Sequence, residues 1–281
     1  MKLRTEIKPW HTANPIKMDD RLVSLGSCFS RAIGSRLYDG GLNIDVTPLG
    51  ILFNPVSIAH IISRGLEARE FSKNDLYCDM QNTWHALALE SRRQGPAPSD
   101  LLKELNNDFA DFSCRLRAAH HWLVTFGTAW CFTHIPTASI VGNCHKLPDK
   151  DFTRHLCSIN DIVLQWSEIL RHAPHVIFTV SPVRHLNDGL HGNTLSKSIL
   201  HLAIDSLCQQ FDNAEYFPAF EALNDDLRDY RFYADDMKHP STLAEEYIFS
   251  LFKDSYFHPS DRQTISVNRK KALMLHHRPI I

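Results

Sequence analysis

The sequence has no excess of either charge and no apolar run long enough to cross a membrane. Its 30 Lys and Arg residues nearly balance 32 Asp and Glu residues, which gives a formal charge of -2 at neutral pH. This balance gives no indication of binding to nucleic acid or to an anionic membrane. Residues 1–20 lack the apolar centre of a signal peptide. The sequence therefore predicts a soluble, cytoplasmic protein.

Cysteine pairs with the spacing of a zinc site are also absent. The seven Cys residues are odd in number and scattered, and none forms a CxxC pair. This pattern fits neither a disulfide framework nor a structural zinc site. There is no Gly-rich phosphate loop, and no spacing of His, Cys and Asp that specifies a metal. We expect most of the cysteines to be reduced and buried, and we expect no metal and no cofactor.

Short apolar segments closed by Gly or Ser-Pro alternate with amphipathic segments along most of the chain. Strands are predicted at RLVSLG (21–26), LNIDVTPLG (42–50), LVTFG (123–127), HVIFTVSP (175–182) and within AEYFPAFEAL (214–223). Helices are predicted at about 30–38, 53–68, 100–122, 152–170, 193–211 and 239–257. This alternation predicts an α/β sandwich with a mostly parallel sheet, in which ligands bind at the carboxyl ends of the strands.

The pattern also suggests how the chain is divided. Residues 1–20 contain Pro9 and Pro15 and show little periodicity, so we expect an arm on the surface. Residues 21–255 are expected to form the main domain, with a helical insertion at about 71–120. Residues 256–281 are expected to form a C-terminal extension.

Ser27 and Cys28 directly follow the first predicted strand, where a helix is expected to begin. A thiol at a helix N-terminus is expected to have a lowered pKa, because the helix dipole favours the thiolate. The same amide groups could stabilise an oxyanion. The alternative is a buried Cys beside a Ser that only caps the helix.

A second candidate lies far along the chain, in YADDMKHPS (233–241). Asp236 and His239 are three residues apart, a spacing that lets a carboxylate orient an imidazole within a tight turn. The imidazole could then act as general base for a distant Ser or Cys. The alternative is a structural turn capped by the Asp, with Pro240 leading into the last helix.

Six segments in the same order resemble the GSCFA family, which is similar to the SGNH or GDSL-like hydrolases. They are LVSLGSCFSRAIGSRL (22–37), TPLGILFNP (47–55), TFGTAW (125–130), GNCHKLP (142–148), TVSPVRHLNDGLHGNTLSKSIL (179–200) and YFPAFEALNDDLRDYRFYADDMKHPS (216–241). The resemblance implies a three-layer α/β/α sandwich of flavodoxin-like topology over residues 21–255. Ser30 stands where the family name has Ala, a conservative difference.

The resemblance also implies roles for the two candidate motifs. SGNH enzymes carry their nucleophile third in a Gly-Asp-Ser motif, which aligns Cys28 with that position rather than Ser27. Neighbouring residues at a strand end point in different directions, so at most one of them should face His239. Asp236 and His239 match the Asp-x-x-His motif of those enzymes. The Asn of their third block is missing from FGTAW, so oxyanion donors are expected among Asn54, Asn143, Gly50 and Gly127.

The expected function is that of an acyl-transfer enzyme, either an esterase or an acyltransferase, with Cys28 or Ser27 as nucleophile. Its substrate would be a small-molecule or carbohydrate ester, with an acyl donor if it is a transferase. Substrate-binding side chains are expected at Arg184, His185, His145 and Trp130. The missing Asn favours the alternative of a non-catalytic ligand-binding module on the same fold. The oligomeric state is not predicted.

Overall fold

The computed structural model describes residues 4–276. The strands are β1 (Arg21–Gly26), β2 (Asn43–Val46), β3 (Tyr77–Cys78), β4 (Trp84–His85), β5 (Gln94–Gly95), β6 (His121–Phe126), β7 (Trp130–His134), β8 (Ser139–Val141), β9 (Phe152–Leu156), β10 (His175–Val180) and β11 (Ala214–Tyr216). The helices are α1 (Cys28–Asp39), α2 (Pro55–Leu66), α3 (Pro98–Ala118), α4 (Ile159–Leu170), α5 (Gly189–Gln210), α6 (Ala219–Glu221), α7 (Thr242–Tyr256) and α8 (Pro259–His276).

A five-stranded parallel sheet forms the middle layer, in the order β2-β1-β6-β10-β11. Counted along the chain, these strands follow the order 2-1-3-4-5, which is the flavodoxin-like arrangement. The order reverses between β1 and β6, and a crevice for ligands is expected at the carboxyl ends of these two strands. The α/β sandwich and its parallel sheet are thus confirmed.

Helices cover both faces of the sheet, so its strands are buried on both sides. Trp122, Val124 and Phe126 of β6 pack into a core with α2, α3, α4 and α5. Leu123 of the same strand points to the opposite face, into a core with α1, α7 and α8. Successive side chains of β6 therefore pack against the two opposite helical layers of the sandwich.

Two small antiparallel sheets were not predicted. One consists of β3, β4 and β5 and lies within residues 71–120, ahead of α3. The other has the order β8-β7-β9. The helix expected at 152–170 begins only at Ile159, because residues 152–156 pair with β7 as a strand.

The pairing of β9 with β7 also brings two cysteines together. Cys131 lies in β7, and Cys157 directly follows β9, which pairs with β7. The two sulfurs are joined in a disulfide that spans 26 positions of the sequence. These two cysteines are therefore exceptions, while the other five are free, in line with the expectation that most cysteines are reduced.

Both terminal segments pack against the sandwich. Ile16 is fully buried and bridges to Phe257, while the side chains of Trp10 and Thr12 donate hydrogen bonds to Glu215. Within α8, Ile265 is fully buried. Residues 1–3 of the expected arm and 277–281 of the expected extension lie outside the described residues. Among residues 4–276, no helix combines the length and apolarity of a membrane span.

Candidate active site

A pocket of about 470 Å³ lies at the reversal in strand order. Its lining includes Cys28 after β1, Thr128 after β6, and Val183 after β10. His239, from the loop before α7, completes one wall. The topology therefore brings the two candidate motifs to one crevice.

The turn that carries Cys28 depends on Gly26, the last residue of β1. Gly26 has a φ of +126°, and a Cβ atom there would lie 2.1 Å from the carbonyl oxygen of Thr125 on β6. Only Gly fits this close approach of two backbones. The next amide, of Ser27, donates to the same carbonyl over 3.2 Å, and α1 begins at Cys28.

Cys28 and His239 lie within hydrogen-bonding distance across the pocket. The Cys28 Sγ atom is 3.5 Å from Nε2 of His239, and His239 Nδ1 is 2.6 Å from Oδ2 of Asp236. Because a carboxylate only accepts, His239 Nδ1 carries the proton. Nε2 is therefore the ring nitrogen that faces the thiol and can accept its proton.

The Asp236 carboxylate is held by backbone groups as well as by the imidazole. Its Oδ1 accepts the amides of Lys238 and His239, each over 2.9 Å. These backbone bonds and the bond from the His239 ring lower the pKa of Asp236. The carboxylate therefore stays ionised, and it fixes both the loop and the tautomer of His239.

The Cys28 thiol does not have the lowered pKa that was expected for it. Burial raises its pKa above the ordinary value, although the amides of Cys28 and Phe29 and the charges of Lys197 and Arg31 act in the opposite direction. Desolvation of the thiolate thus outweighs the helix N-terminus. The resting group is the thiol, and ionisation requires a base.

Ser27 occupies a different environment from Cys28. It is fully buried, and its Oγ atom has no hydrogen-bond partner among the described residues. Its side chain makes no capping bond to α1. The structure therefore places Cys28, and not Ser27, beside His239, and the simple capping alternative for Ser27 is wrong.

Two of the four expected oxyanion donors are already engaged. The amide of Gly50 donates to the Thr47 carbonyl over 2.9 Å, and that of Gly127 donates to the Phe53 carbonyl over 2.8 Å. Neither amide is available to a substrate, so the expectation for these two glycines is wrong.

Both expected asparagines line the pocket. Asn54 caps α2, since its Oδ1 accepts the Ser57 amide over 2.7 Å. Its other side-chain atom, Nδ2, is thereby left as a donor at the pocket. Asn143 Oδ1 accepts the His145 amide over 2.9 Å, which holds the loop after β8.

His145 is not at the pocket surface, contrary to expectation. Its Nε2 lies 3.1 Å from the Leu89 carbonyl, and its Nδ1 lies 3.4 Å from Nδ1 of His85. His85 Nε2 is in turn 2.9 Å from Asp79 Oδ2. Burial lowers the pKa of His145 to about 4, so the neutral ring donates from Nε2 and accepts at Nδ1. The side chains of His145, His85 and Asp79 thus form one buried chain that is separate from the pocket.

The other three expected substrate-binding residues do line the pocket. Trp130 and His185 each have a buried ring nitrogen, Nε1 and Nε2 respectively, without a hydrogen-bond partner in the described part of the chain. Burial lowers the pKa of His185 to about 4, so this ring is neutral. The Arg184 guanidinium stacks on Tyr233, with its carbon 4.1 Å from the ring centre.

Arg154 and Lys197 were not predicted from the sequence. Arg154 of β9 lines the pocket, forms an ion pair with Asp188, and lies 4.5 Å from the centre of the Trp130 ring. Lys197 of α5 is 3% exposed, and its Nζ atom donates to the carbonyl of Gly127, the residue before the pocket-lining Thr128. It is in helical phase with Leu200 and Ile204, so a Lys on an apolar helix face is the signal that identifies it.

One group of possible metal ligands lies behind the pocket wall. Cys131, His155 and Cys157 place their ligand atoms within 4.8 Å of one another. The two thiols form the disulfide, which leaves only the imidazole as a free donor. This group does not fit a metal ion in its disulfide form.

Comparison with known proteins identifies the family of the chain. No curated protein matches the chain. The GSCFA family matches residues 21–252, from the first residue of β1 into α7. The match covers the sheet, the pocket and both motifs of the site. The chain belongs to the GSCFA family.

Proposed function

We propose that the protein is an acyl-transfer enzyme, a hydrolase or acyltransferase, that acts on esters or thioesters through a Cys28 nucleophile. The observation that carries the proposal is the continuous chain from Cys28 Sγ through His239 to Asp236, with separations of 3.5 and 2.6 Å. A nucleophile, a base and a carboxylate that orients the base are the parts that such chemistry requires.

In the first step His239 Nε2 takes the proton of the Cys28 thiol while Sγ attacks the substrate carbonyl carbon. The carbonyl π electrons move onto oxygen, which gives a tetrahedral oxyanion. When this intermediate collapses, the bond to the leaving alcohol or thiol breaks, and His239 returns the proton to the leaving group. The acyl group is then bound to Cys28 as a thioester.

In the second step water or an acceptor hydroxyl attacks the thioester. His239 removes the proton of the attacking group, and the collapse of the second oxyanion releases the acid or the new ester. The proton then returns to Cys28 Sγ. The raised pKa of Cys28 is compatible with this sequence, because the base acts during the attack and no resting thiolate is needed.

Two sets of donors are positioned for the oxyanion. The amides of Cys28 and Phe29 at the start of α1 interact with the thiol, and first-turn amides have no partner within their own helix. Asn54, which also lines the pocket, adds its Nδ2 group. We assign to Asn54 the part played in SGNH enzymes by the Asn that is missing from FGTAW.

A ligand-binding module on the same fold is the second candidate. The observation in its favour is the raised pKa of Cys28, which makes the free thiol a weak nucleophile at neutral pH. On this alternative the pocket would bind an ester without cleaving it, and no acyl group would ever be found on Cys28.

The test is a panel of activated esters and acyl thioesters, with product release and intact mass both followed. We expect turnover and a mass increase of one acyl group in the wild type, and neither in Cys28→Ala. His239→Ala should lose about 10²-fold or more in rate. Ser27→Ala should keep the acyl adduct, and Cys114→Ala, which removes an exposed free thiol, is the matched control. Equal rates in all variants would exclude the proposal.

A further inference from the structure

Lys197 is a buried side chain that reaches the backbone next to the pocket lining. Its Nζ atom donates to the carbonyl of Gly127 over 2.6 Å and to the carbonyl of Ser181 over 2.7 Å. Gly127 is the residue after β6, and Ser181 is the residue after β10. One ammonium group therefore joins the carboxyl ends of two neighbouring strands, where the pocket is built.

The backbone that Lys197 holds is in contact with the site. A Cβ atom on Gly127 would lie 3.2 Å from the Cβ of Ser27 and 3.4 Å from Nε2 of His185. Gly127 is thus packed between the residue that precedes Cys28 and a wall of the pocket. The backbone bound by Lys197 is therefore next to both the turn of Cys28 and the pocket wall.

The charge of Lys197 has no fixed partner. No carboxylate lies within ion-pair distance of Nζ anywhere between residues 4 and 276, and both acceptors are neutral carbonyls. A buried ammonium without a counter-ion is costly, so such a group is unusual unless a negative charge forms beside it. Burial accordingly lowers the pKa of Lys197 to about 7, and the charge of Cys28 acts in the opposite direction.

We propose that Lys197 is a positioning residue of the Cys28 site, which fixes the ends of β6 and β10 and supplies the positive charge that balances the Cys28 thiolate. Its place in catalysis rests on the proposed function. The charge coupling between the two side chains does not, because it exists whether or not an ester is turned over.

The first experiment compares alkylation of Cys28 by iodoacetamide in the wild type and in Lys197→Met, with modified peptides resolved by mass. At pH 6 to 7 we expect about a tenfold lower rate in the variant, which corresponds to a shift of one pKa unit. The ratio of the wild-type alkylation rate to the Lys197→Met rate should fall towards one at higher pH, because Lys197 itself loses its proton there. A purely structural role would not produce a pH-dependent ratio.

Lys150→Met removes an exposed ammonium and is the matched control, with the wild-type profile expected. Circular dichroism verifies that each variant is folded. A folded Lys197→Met protein whose rate matches the wild type from pH 6 to 9 would overturn the inference.

A second measurement covers the case in which Lys197→Met does not fold. Cys28→Asp places a permanent acidic group at the position of the thiol, and Cys28→Asn is its neutral match. Coupling is reciprocal, so the pKa of Lys197, followed by NMR at its ¹³Cε atom, should be about one unit higher in Cys28→Asp. Identical titrations in the two variants would overturn the inference.

Neither measurement requires turnover, so the two proposals fail separately. If the protein cleaves no ester but the ratio of alkylation rates depends on pH, the proposed function is rejected and the coupling of Lys197 to Cys28 is supported. If an acyl adduct forms on Cys28 but the ratio is constant, the proposed function is supported and the role of Lys197 is rejected.

Discussion

The Cys28 Sγ and His239 Nε2 atoms lie 3.5 Å apart although 211 positions separate the two residues in the sequence. Local backbone contacts fix the position of each of the two residues. Cys28 follows the close approach of Gly26 to β6, and His239 lies in a turn closed by its own carbonyl, which accepts the Ala234 amide over 2.8 Å. A pair preorganised in this way is expected to react without a large rearrangement.

Replacement of Asp236 by Asn tests the orientation of His239. The Asn oxygen can still accept the loop amides, but the negative charge that fixes the Nδ1–H tautomer is lost. We expect the rate of acyl transfer to fall about 10²-fold to 10⁴-fold, with a much smaller change in substrate binding. The measurement is kcat and KM on the best ester of the panel.

Asp235 provides the control for this change. It is the exposed neighbour of Asp236, so Asp235→Asn removes the same charge from the same loop. Its kinetics should match those of the wild type. Full activity in Asp236→Asn would show that the carboxylate only shapes the loop.

Replacement of Asn54 by Asp separates its two roles. Asp can accept the Ser57 amide as Asn54 does, so the cap of α2 is retained, while the Nδ2 donor is lost. Asn54→Ala should lose about 10²-fold to 10³-fold in kcat, the usual cost of an oxyanion donor, and about 1 kcal/mol of stability with the cap. Asn54→Asp should lose at least as much in kcat, because its carboxylate also repels the oxyanion, and its charge at a 4% exposed position offsets the stability that the retained cap contributes. Wild-type turnover in Asn54→Asp would rule out the donor role.

Much of this arrangement is predictable from the sequence, because short-range patterns determine it. The apolar stretch that ends in Gly26 predicts β1, and the Asp236 to His239 spacing predicts an oriented imidazole. Each of these two signals lies within a few neighbouring residues. The rule that parallel strands share their carboxyl ends predicts the crevice after β1, and His239 reaches this crevice from the loop before α7.

Other features depend on pairing over long distances, which no local pattern records. Residues 152–156 are assigned to a helix by periodicity, but β9 forms because β7 offers it an edge. The same pairing brings Cys131 and Cys157 together. The thiol pKa of Cys28 has the opposite direction to the prediction, since burial is a property of the whole fold and outweighs the helix dipole.

The buried pair of His145 and His85 predicts how stability depends on pH. In the folded chain the pKa of His145 is about 4, below its ordinary value of 6.5. Between these pH values the unfolded chain therefore binds more protons, and the free energy of unfolding decreases as the pH falls from 6.5 towards 4. At pH 4.5 the titration of His145 alone is expected to lower the free energy of unfolding by about 2 to 3 kcal/mol.

Denaturant unfolding at pH 7 and pH 4.5 measures this dependence. His145→Gln keeps a side-chain donor for the Leu89 carbonyl but cannot titrate, so its loss of stability between the two pH values should be smaller than that of the wild type. His155→Gln, at an exposed position, should lose as much as the wild type. An equal loss in His145→Gln would exclude His145 as the titrating group.

Gly26→Ala tests whether the close contact of β1 with β6 supports the nucleophile. The added methyl group would lie 2.1 Å from the Thr125 carbonyl oxygen, a backbone atom that cannot rotate away, and the φ of +126° is itself unfavourable for Ala. We expect a loss of at least about 3 kcal/mol in the free energy of unfolding, measured by denaturant titration.

Gly189 is the matched control for this substitution. It also has a positive φ, of +67°, but a Cβ atom there would have no neighbour within 4 Å. Its ψ is 179°, a backbone region that is essentially restricted to Gly, so Gly189→Ala should cost about 1 to 3 kcal/mol from backbone strain alone and less than Gly26→Ala. If the two variants are equally stable, the backbone contact with Thr125 contributes nothing, and the position of Cys28 must depend on the packing of α1 instead.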